Sequence, residues 1–597
     1  MSKRVAALEK SGHLRRVDAR LADWIAREFP AGADATGLAA ALAARAVAAG
    51  HSALELDRAQ AWLDGLAEGT APALPDVADW RDALQAAPTV HAHASGTAIP
   101  NLPLVLDAQG RVYLRRYFEY ERQLARMLVA RAAHEDSTTP SPRSRGEVSE
   151  GRKGDVPADA RAGPPLDPEQ QRAIEVALSR RFTLVTGGPG TGKTHVVVRM
   201  LAALAERAQA QAKPLRIALS APTGKAAARL GEALRGQLDA LALPADVAAQ
   251  IPRDAQTVHR LLGISPWRLQ PTFDAATPLP FDVVVVDEVS MVDLPLMAKL
   301  VAAVAEGAQL ILLGDPEQLS AVEAGNVLGA LVEAAQAGPL HDNHVALTHS
   351  HRFGAESALG ALAASITRGD AEAALRALAG DGGVTLAADA HAAALIERAA
   401  EAYQPVLAAA GAAAALHAAR GFRVLTALRH SPSGCLAIDR AIAARLQRGA
   451  GVRGDASAWR GRLILITANR PELGLFNGDT GVLWPDARGA LQAWFEGSGN
   501  QPRALPIAAL PPHEGAFALT VHKSQGSEFD RIALVTGPDS AVLTRELLYT
   551  GVTRARSGVT VYAAPEILRT GIARRTLRMT GLTDRLREAQ ETSSERA

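Results

Sequence analysis

The stretch FTLVTGGPGTGKTHVVVRMLAALAE, residues 182–206, decides how the rest of the chain is read. Its apolar, β-branched opening predicts a strand, its glycine-rich centre a turn, and its end a helix. Gly187, Gly188, Pro189, Gly190, Thr191, Gly192, Lys193 and Thr194 satisfy G-x-x-x-x-G-K-[ST] in that strand–turn–helix setting. Glycines let backbone N–H groups converge on phosphate oxygens, and the positive end of the helix dipole adds to their pull. Lys193 is the residue for the β- and γ-phosphates, and Thr194 the one for a magnesium ion. A bare glycine turn would have no need of a Lys-Thr pair opening the helix.

Outward from this loop, apolar runs alternate with helical segments: LRIALSAP (215–222), FDVVVVDE (281–288) and QLILLGD (309–315). Such alternation predicts an α/β fold, a parallel sheet with helices on both faces. Ligands of open α/β sheets sit beyond the carboxyl ends of the strands, where Asp287 and Glu288 fall. Asp287 is placed to hold magnesium through water, and Glu288 to orient and deprotonate an attacking water. Gln318, after the third run, is placed to sense the γ-phosphate. ATP and magnesium are the expected cofactors, and hydrolysis the expected reaction. A second α/β block follows in GFRVLTAL (421–428), FALTVHKSQG (517–526), RIALVTGP (531–538) and GVTVYAAP (558–565).

With 597 residues, the chain exceeds one hydrophobic core and is expected to form about three or four domains. Residues 1–134 read as a small, mostly helical N-terminal domain. Within it, PLVLDAQGRVYLRRYFEYERQLARML (103–128) predicts strand, turn at Gln109-Gly110, strand and helix. Tyr113, Tyr117, Tyr120, Leu124 and Leu128 follow helical spacing and form a packing stripe. Residues 135–165 are rich in Ser, Pro, Gly, Arg and Asp and predict a flexible linker. The first lobe is expected over 166–346 and the second over 347–597. A small β-rich insert lies at about 460–512 and turns at Asn477-Gly478. LAAAGAAAALHAAR (407–420) reads as a low-complexity helix.

Cys435, the only cysteine, excludes internal disulfides and cysteine-ligated zinc or iron–sulfur clusters. A net charge of +1 means that any nucleic-acid contact comes from a local groove rather than a global field. Aromatic residues at 4% favour phosphate contacts over base stacking in such a groove. The N-terminus has no apolar signal core, and no window approaches the roughly 18 uncharged apolar residues of a membrane span. A cytoplasmic protein is expected.

The order of the motifs narrows the function. LDPEQQRAI (166–174) resembles the adenine-reading glutamine motif of superfamily 1 helicases and points to Gln170. APTGKAAARL (221–230) resembles their motif Ia, DAQTVHRLL (254–262) motif Ib, VVVVDEVSMVD (283–293) motif II and GDPEQLSAV (314–322) motif III. LTHSHRF (347–353) resembles motif IV with Arg352, ALTVHKSQGSEF (518–529) motif V, and ELLYTGVTRAR (546–556) motif VI with Arg554. The resemblance implies two RecA-like P-loop lobes whose ATP-driven closure moves a strand of DNA. It makes Arg352 and Arg554 arginine fingers that reach the ATP of the first lobe when the cleft closes. It puts Glu528 near the ribose, and Thr223, Lys225, Thr257, His259, Thr520, His522 and Gln525 along the single-strand groove.

Segments outside the shared motifs resemble the RecD family: LTALRHSPSGCLAIDRAIAARL (425–446), GRLILITANRPELGLFNGDTGVL (461–483) and PLVLDAQGRVYLRRYFEYE (103–121). Ala468-Asn469-Arg470 departs from the family's Asn-Asp pair. This resemblance implies 5′→3′ polarity, RecB and RecC as partners, docking on RecC through the N-terminal domain, and double-strand-break repair by recombination. None of the residues two positions before the eight lysines is acidic, so nuclease activity is expected from a partner. Removal of residues before about Asp107 is expected to spare ATP hydrolysis and lose RecC. Three alternatives stand beside this reading. A free-standing RecD-like helicase would usually carry a longer N-terminal extension. A relaxase would use His91, His93, Tyr113 and Tyr117. A non-catalytic scaffold would have no need of Lys193, Glu288, Arg352 and Arg554 together.

Overall fold

The computed structural model describes residues 2–66, 69–95, 97, 100–134, 165–265, 268, 270–336, 338–354, 357–380, 382–387, 392–449, 458–497 and 501–595. The expected linker, apart from Pro165, lies outside them. Helices Lys3–Lys10, Arg16–Glu28 and Ala33–Ala48 open the chain, and the third is buried on nearly every side because alanine lets its neighbours approach closely. They pack beside a four-stranded sheet of β1 (Leu54–Glu55), β2 (Val90–Ala92), β3 (Leu104–Leu106) and β4 (Arg111–Leu114), in the order β1-β4-β3-β2. The β3–β4 hairpin turns over Asp107–Gly110, with Gly110 at φ +77°.

The apolar runs around the glycine-rich turn form β5 (Phe182–Gly187), β6 (Ile217–Ala221), β7 (Gln256–Thr257), β8 (Val283–Val286), β9 (Gln309–Gly314) and β10 (His344–Leu347). All five pairings are parallel, in the order β10-β5-β9-β8-β6-β7. Side chains alternate along each strand and so build two cores. Phe182, Leu184, Val284, Val286, Leu310 and Leu312 join one, and Val185, Val283, Val285, Ile311 and Leu313 the other.

The first of these cores corrects three expectations. Helix Arg115–Ala133, read with the N-terminal domain, contributes Leu124, Leu128 and Val129 to the first lobe's core. Helix Leu582–Ser594, read with the second lobe, contributes Leu582, Leu586 and Ala589 to the same core. Both carry an apolar stripe, and the β5–β9–β8 face is the surface that buries it. In the stripe, Tyr117 and Tyr120 pack against this core, but Tyr113 lies in β4 rather than in the helix.

In the second lobe, β11 (Val384–Ala387) and β12 (Phe422–Thr426) precede an insert of β13 (Leu463–Ile466), β14 (Thr480–Pro485), β15 (Leu491–Phe495), β16 (Arg503–Pro506) and β17 (His513–Gly515). β18 (Ala518–Thr520), β19 (Phe529–Val535) and β20 (Ala555–Tyr562) follow. The lobe sheet is parallel, in the order β11-β20-β19-β12-β18; the insert is antiparallel, in the order β16-β15-β14-β13-β17. Its last strand ends at Gly515, three residues beyond the expected boundary. Asn477-Gly478 sits inside a longer loop between β13 and β14, with Gly478 at φ +97°. The alanine-rich stretch is broken by Gly411, which caps helix Ala412–Ala419.

Candidate active site and groove

The phosphate-loop motif closes β5 and opens helix Lys193–Ala210. Gly190 and Gly192 both take φ +82°, a region that costs a side chain strain. At Gly190 space excludes a side chain as well, and at Gly192 Gln170 would have to move aside. A β-carbon on Gly190 would lie 2.3 Å from the β-carbon of Arg352, and one on Gly192 2.7 Å from Nε2 of Gln170. Lys193 Nζ donates to the carbonyls of Gly187 (2.5 Å) and Gly188 (3.0 Å), and Thr191 Oγ1 to that of Gly188 (2.9 Å). Thr194 is half-buried in the first turn of the helix.

Gln170 reaches this loop through local sequence. Asp167 caps helix Pro168–Ser179 in a capping box with Gln170, and Pro168 at the first helical position suits the missing donor there. The buried Gln170 amide then donates to the Thr191 carbonyl (3.2 Å) and lies 3.2 Å from Nε2 of His351.

Asp287 follows β8 at the carboxyl edge of the sheet and accepts the Glu288 N–H (2.8 Å). Burial, with the adjoining Glu288 charge, pushes its carboxyl up, and Lys193 opposes that shift. A buried acid facing a lysine, with a threonine in the first turn of the helix that follows the phosphate loop, is the hard-oxygen set that suits magnesium held with phosphate. Glu288 takes φ +56° without being glycine, a strained conformation of the kind that clusters at working sites.

One strand away, Asp315 follows β9 and was missed in the sequence. Burial pushes its carboxyl up, against Lys193 and hydrogen bonds from Gln318 (2.9 Å), the Glu317 N–H (3.1 Å) and the Tyr549 hydroxyl (3.1 Å). Tyr549, also missed, stands on helix Arg545–Val552 of the second lobe. A β-carbon on Gly188 would lie 2.8 Å from its hydroxyl, so Tyr549 roofs the phosphate loop. The repeated pattern of an acid directly after an apolar strand could have flagged Asp315; nothing local flags Tyr549.

The segment after β10 lies over the same loop. His351 N–H donates to Gly190 O (2.9 Å), and Ser350 Oγ to Pro189 O (3.3 Å). Arg352 therefore starts beside Gly190, and its Nη2 pairs with Glu528 Oε1 at 2.8 Å. Burial works against the Glu528 charge, but Arg352, Arg229 and Arg556 outweigh it and hold the carboxyl below its usual range. Arg554 is buried and donates to Thr550 O (3.0 Å), Ser527 O (3.4 Å) and Thr553 Oγ1 (3.5 Å), all in the second lobe. The structure thus brings Arg352 to the phosphate loop, pairs Glu528 with it, and keeps Arg554 within its own lobe.

The expected groove residues fall into two sets. Thr223 and Thr257 cap helices after the paired strands β6 and β7, accepting the N–H groups of Ala226 and Arg260, each at 3.2 Å. His259 is exposed next to them. Lys225 is turned toward the insert, donating to Gly478 O (3.2 Å). Burial, reinforced by Arg229, pushes its ammonium down to about 8. In the second lobe, Thr520 Oγ1 accepts the Lys523 N–H (3.3 Å), and Gln525 Nε2 donates to Leu319 O (3.2 Å). His522, half-buried, is held below its usual pKa by burial and by Arg578. A cleft of about 630 Å³ opens between this lobe and the insert, lined by Arg429, Leu436, Thr467, Asn477, His513, Glu514 and Lys523. Glu514 bridges Arg429 (3.0 Å) and Lys523 there.

Tyr113, the nucleophile a relaxase would need, is fully buried and edge-on to Phe118 (5.1 Å). Among the described residues, no group of three or more histidines, cysteines or acids is placed to hold a metal ion alone. No helix among them is long and apolar enough to cross a membrane.

Three family models match the chain: an AAA domain over residues 165–389, a UvrD-like helicase C-terminal domain over 515–562, and the N-terminal domain of the RecBCD enzyme subunit RecD over 10–113. The RecBCD enzyme subunit RecD of Mycobacterium tuberculosis is 38% identical over 592 residues, covering 98% of this chain and 96% of that protein. That of Mycolicibacterium smegmatis is 39% identical, covering 92% and 94%. The ATP-dependent RecD2 DNA helicase of Deinococcus radiodurans is 31% identical, covering 80% of this chain and 59% of that protein. Identity of this degree across nearly the whole of both chains, with a nucleotide loop roofed by the second lobe, means that the chain belongs to the family of the RecBCD enzyme subunit RecD.

Proposed function

We propose that this chain is the ATP-driven DNA helicase subunit of a RecBCD-type helicase–nuclease, working with RecB and RecC in recombinational repair of DNA ends. The observation that carries this reading is the phosphate loop placed between lobes. Gly190 contacts Arg352, Gly188 lies under Tyr549, and Arg352 pairs with Glu528. Filling such a site changes how the lobes meet, and alternating closure is how nucleotide turnover becomes motion along a strand.

In this reading Lys193 and the loop N–H groups take the β- and γ-phosphates, while Gln170 reads the adenine. Thr194 and Asp287 would hold magnesium, which neutralises charge on the phosphate oxygens. Glu288 orients the attacking water and takes its proton, and Gln318 follows the γ-phosphate. Arg352, and Arg554 once the lobes close and release it from its own lobe, stabilise charge on the transferring phosphoryl, a role worth about a thousandfold or more in enzymes of this kind. Glu528 steers Arg352 and lies toward the ribose. Thr223, Lys225, Thr257, His259, Thr520, His522 and Gln525 contact strand phosphates, which position DNA without reading its sequence.

The deciding experiment is ATP-driven strand displacement on duplexes with a 5′ or a 3′ tail, by the chain alone and with RecB and RecC. A 5′-tail preference that depends on Lys193, enhanced by the partners, is expected. Activity confined to 3′ tails would refute the assigned polarity.

A further inference from the structure

Gly50 follows helix Ala33–Ala48 at φ +89°, and a β-carbon there would lie 1.5 Å from Nη1 of Arg578. Arg578 comes from the opposite end of the chain. Its Nη1 donates to Ala49 O (2.8 Å), its Nη2 to Ala321 O (3.0 Å) and its Nε to Ser320 Oγ (3.3 Å). Around it, Gly325 N–H donates to Gly50 O (3.0 Å) and Met579 N–H to His51 Nδ1 (3.0 Å). One planar guanidinium, with donors fixed in a fork, thus ties the N-terminal segment to the loop that follows Gln318.

The other side of that loop is held by the second lobe. Leu319 N–H donates to Thr550 Oγ1 (2.9 Å), and Leu319 O accepts from Gln525 (3.2 Å). The chain around Arg578 is anchored at both ends. Upstream, the N–H and hydroxyl of Thr576 donate to Glu546 of the second lobe (2.9 and 2.7 Å). Downstream, Thr580 Oγ1 and Gly581 N–H donate to the buried Glu121 (2.7 and 3.1 Å). Residues 576–581 therefore form a strap from the second lobe to the N-terminal segment, passing over the loop of Gln318.

We propose that Arg578 is a positioning residue of the motor, which sets how strongly DNA in the groove accelerates ATP hydrolysis. This rests on the ATP-driven motor reading above. Gln525 belongs to the proposed groove, and Gln318 hydrogen-bonds Asp315 at the nucleotide site. The loop between them transmits a shift of Gln525 to Gln318 only while its far side is held, and Arg578 holds it. The position of the N-terminal segment then tunes the coupling without touching nucleotide or DNA.

The test is ATP turnover by the full chain, with and without single-stranded oligodeoxythymidylate, together with hydrogen exchange at the Gly325 amide. Arg578→Gln is expected to keep turnover without DNA and KM for ATP, but to lower the DNA-stimulated kcat at least about fivefold. Arg578→Lys should recover part of the loss. Gly50→Ala, outside both lobes, should reproduce it by displacing the guanidinium, and the Gly325 amide should exchange faster in both Arg578→Gln and Gly50→Ala. Should Arg578→Gln fail to fold, Gly50→Ala and Arg578→Lys carry the test. DNA-stimulated turnover at the wild-type level in these variants, or a loss equal with and without DNA, would overturn the inference alone. A wild-type chain that DNA does not stimulate would sink the motor reading and this inference with it.

Discussion

Lys193 lies in the phosphate loop and Tyr549 over it, one from each lobe, and their substitutions separate binding from coupling. Lys193→Gln removes the charge opposite Asp287 and Asp315. ATP turnover should fall at least about a hundredfold, as it does when a preorganised electrostatic group is removed, while the thermal melt stays cooperative. Turnover near the wild-type rate would refute the assignment. Tyr549→Phe deletes one hydroxyl from the buried Asp315, at a cost of about 1 kcal/mol in stability. Because that bond links the lobes, kcat should fall several-fold with KM for ATP little changed, and an unchanged kcat would count against the link. The contrast also marks what the sequence reveals. The phosphate loop is eight consecutive residues whose spacing carries its chemistry, and Gln170 follows from a capping box four residues long. Asp315 acquires its role from Tyr549, 234 positions away, and Arg229 acts on Glu528 from another lobe. Such pairs have no local signature.

Among the elements, strand identity was legible because parallel strands buried on both faces read as unbroken apolar runs, and β5, β6, β8 and β9 appear where those runs lie. Partnership was not. Periodicity marks the apolar faces of helices Arg115–Ala133 and Leu582–Ser594, but not that both cover the β5–β9–β8 face rather than the lobe next to them in sequence. The junction beside them is expected to be acid-sensitive. His51 accepts the Met579 N–H at Nδ1, and burial, helped by Arg578, pushes its pKa down to about 4. An unfolded histidine titrates near 6.5, so below that pH the unfolded chain binds the proton that the folded one refuses. His51 therefore contributes stability that is fully present above about pH 6.5 and is lost as pH falls toward about 4, on the order of 3 kcal/mol. Thermal melts across that range should show the decline, and His51→Asn, which keeps an acceptor without the titration, should flatten part of it. An equal slope in both proteins would remove His51 as the cause.

At the scale of the whole molecule, the N-terminal segment is built into the motor, which changes what its removal should do. Read from sequence alone, a chain beginning near Asp107 keeps both lobes and so keeps ATP hydrolysis. The structure adds a cost to stability and to coupling with DNA. Such a deletion takes away Ala49 and Gly50, which meet Arg578 and Gly325, and His51, Ser52 and Ala53, which bond to Met579. Met579, fully buried at present, would be uncovered along with β4. Glu121 would lose the Ser52 hydroxyl (2.6 Å), and a buried polar group left short of a partner costs about 1–3 kcal/mol. Glu121 still anchors Thr580 and Gly581, but the strap over the loop of Gln318 would lose its bonds to the N-terminal segment through Met579 and Arg578. The truncated chain should melt at a lower temperature than the full chain, and DNA should stimulate its ATP turnover less, even without RecC. Calorimetry and a DNA-titrated ATP assay on the two chains decide the matter. If the truncated chain matches the full one in both, the N-terminal segment serves partner docking alone, and the motor is as separable as its motifs suggested.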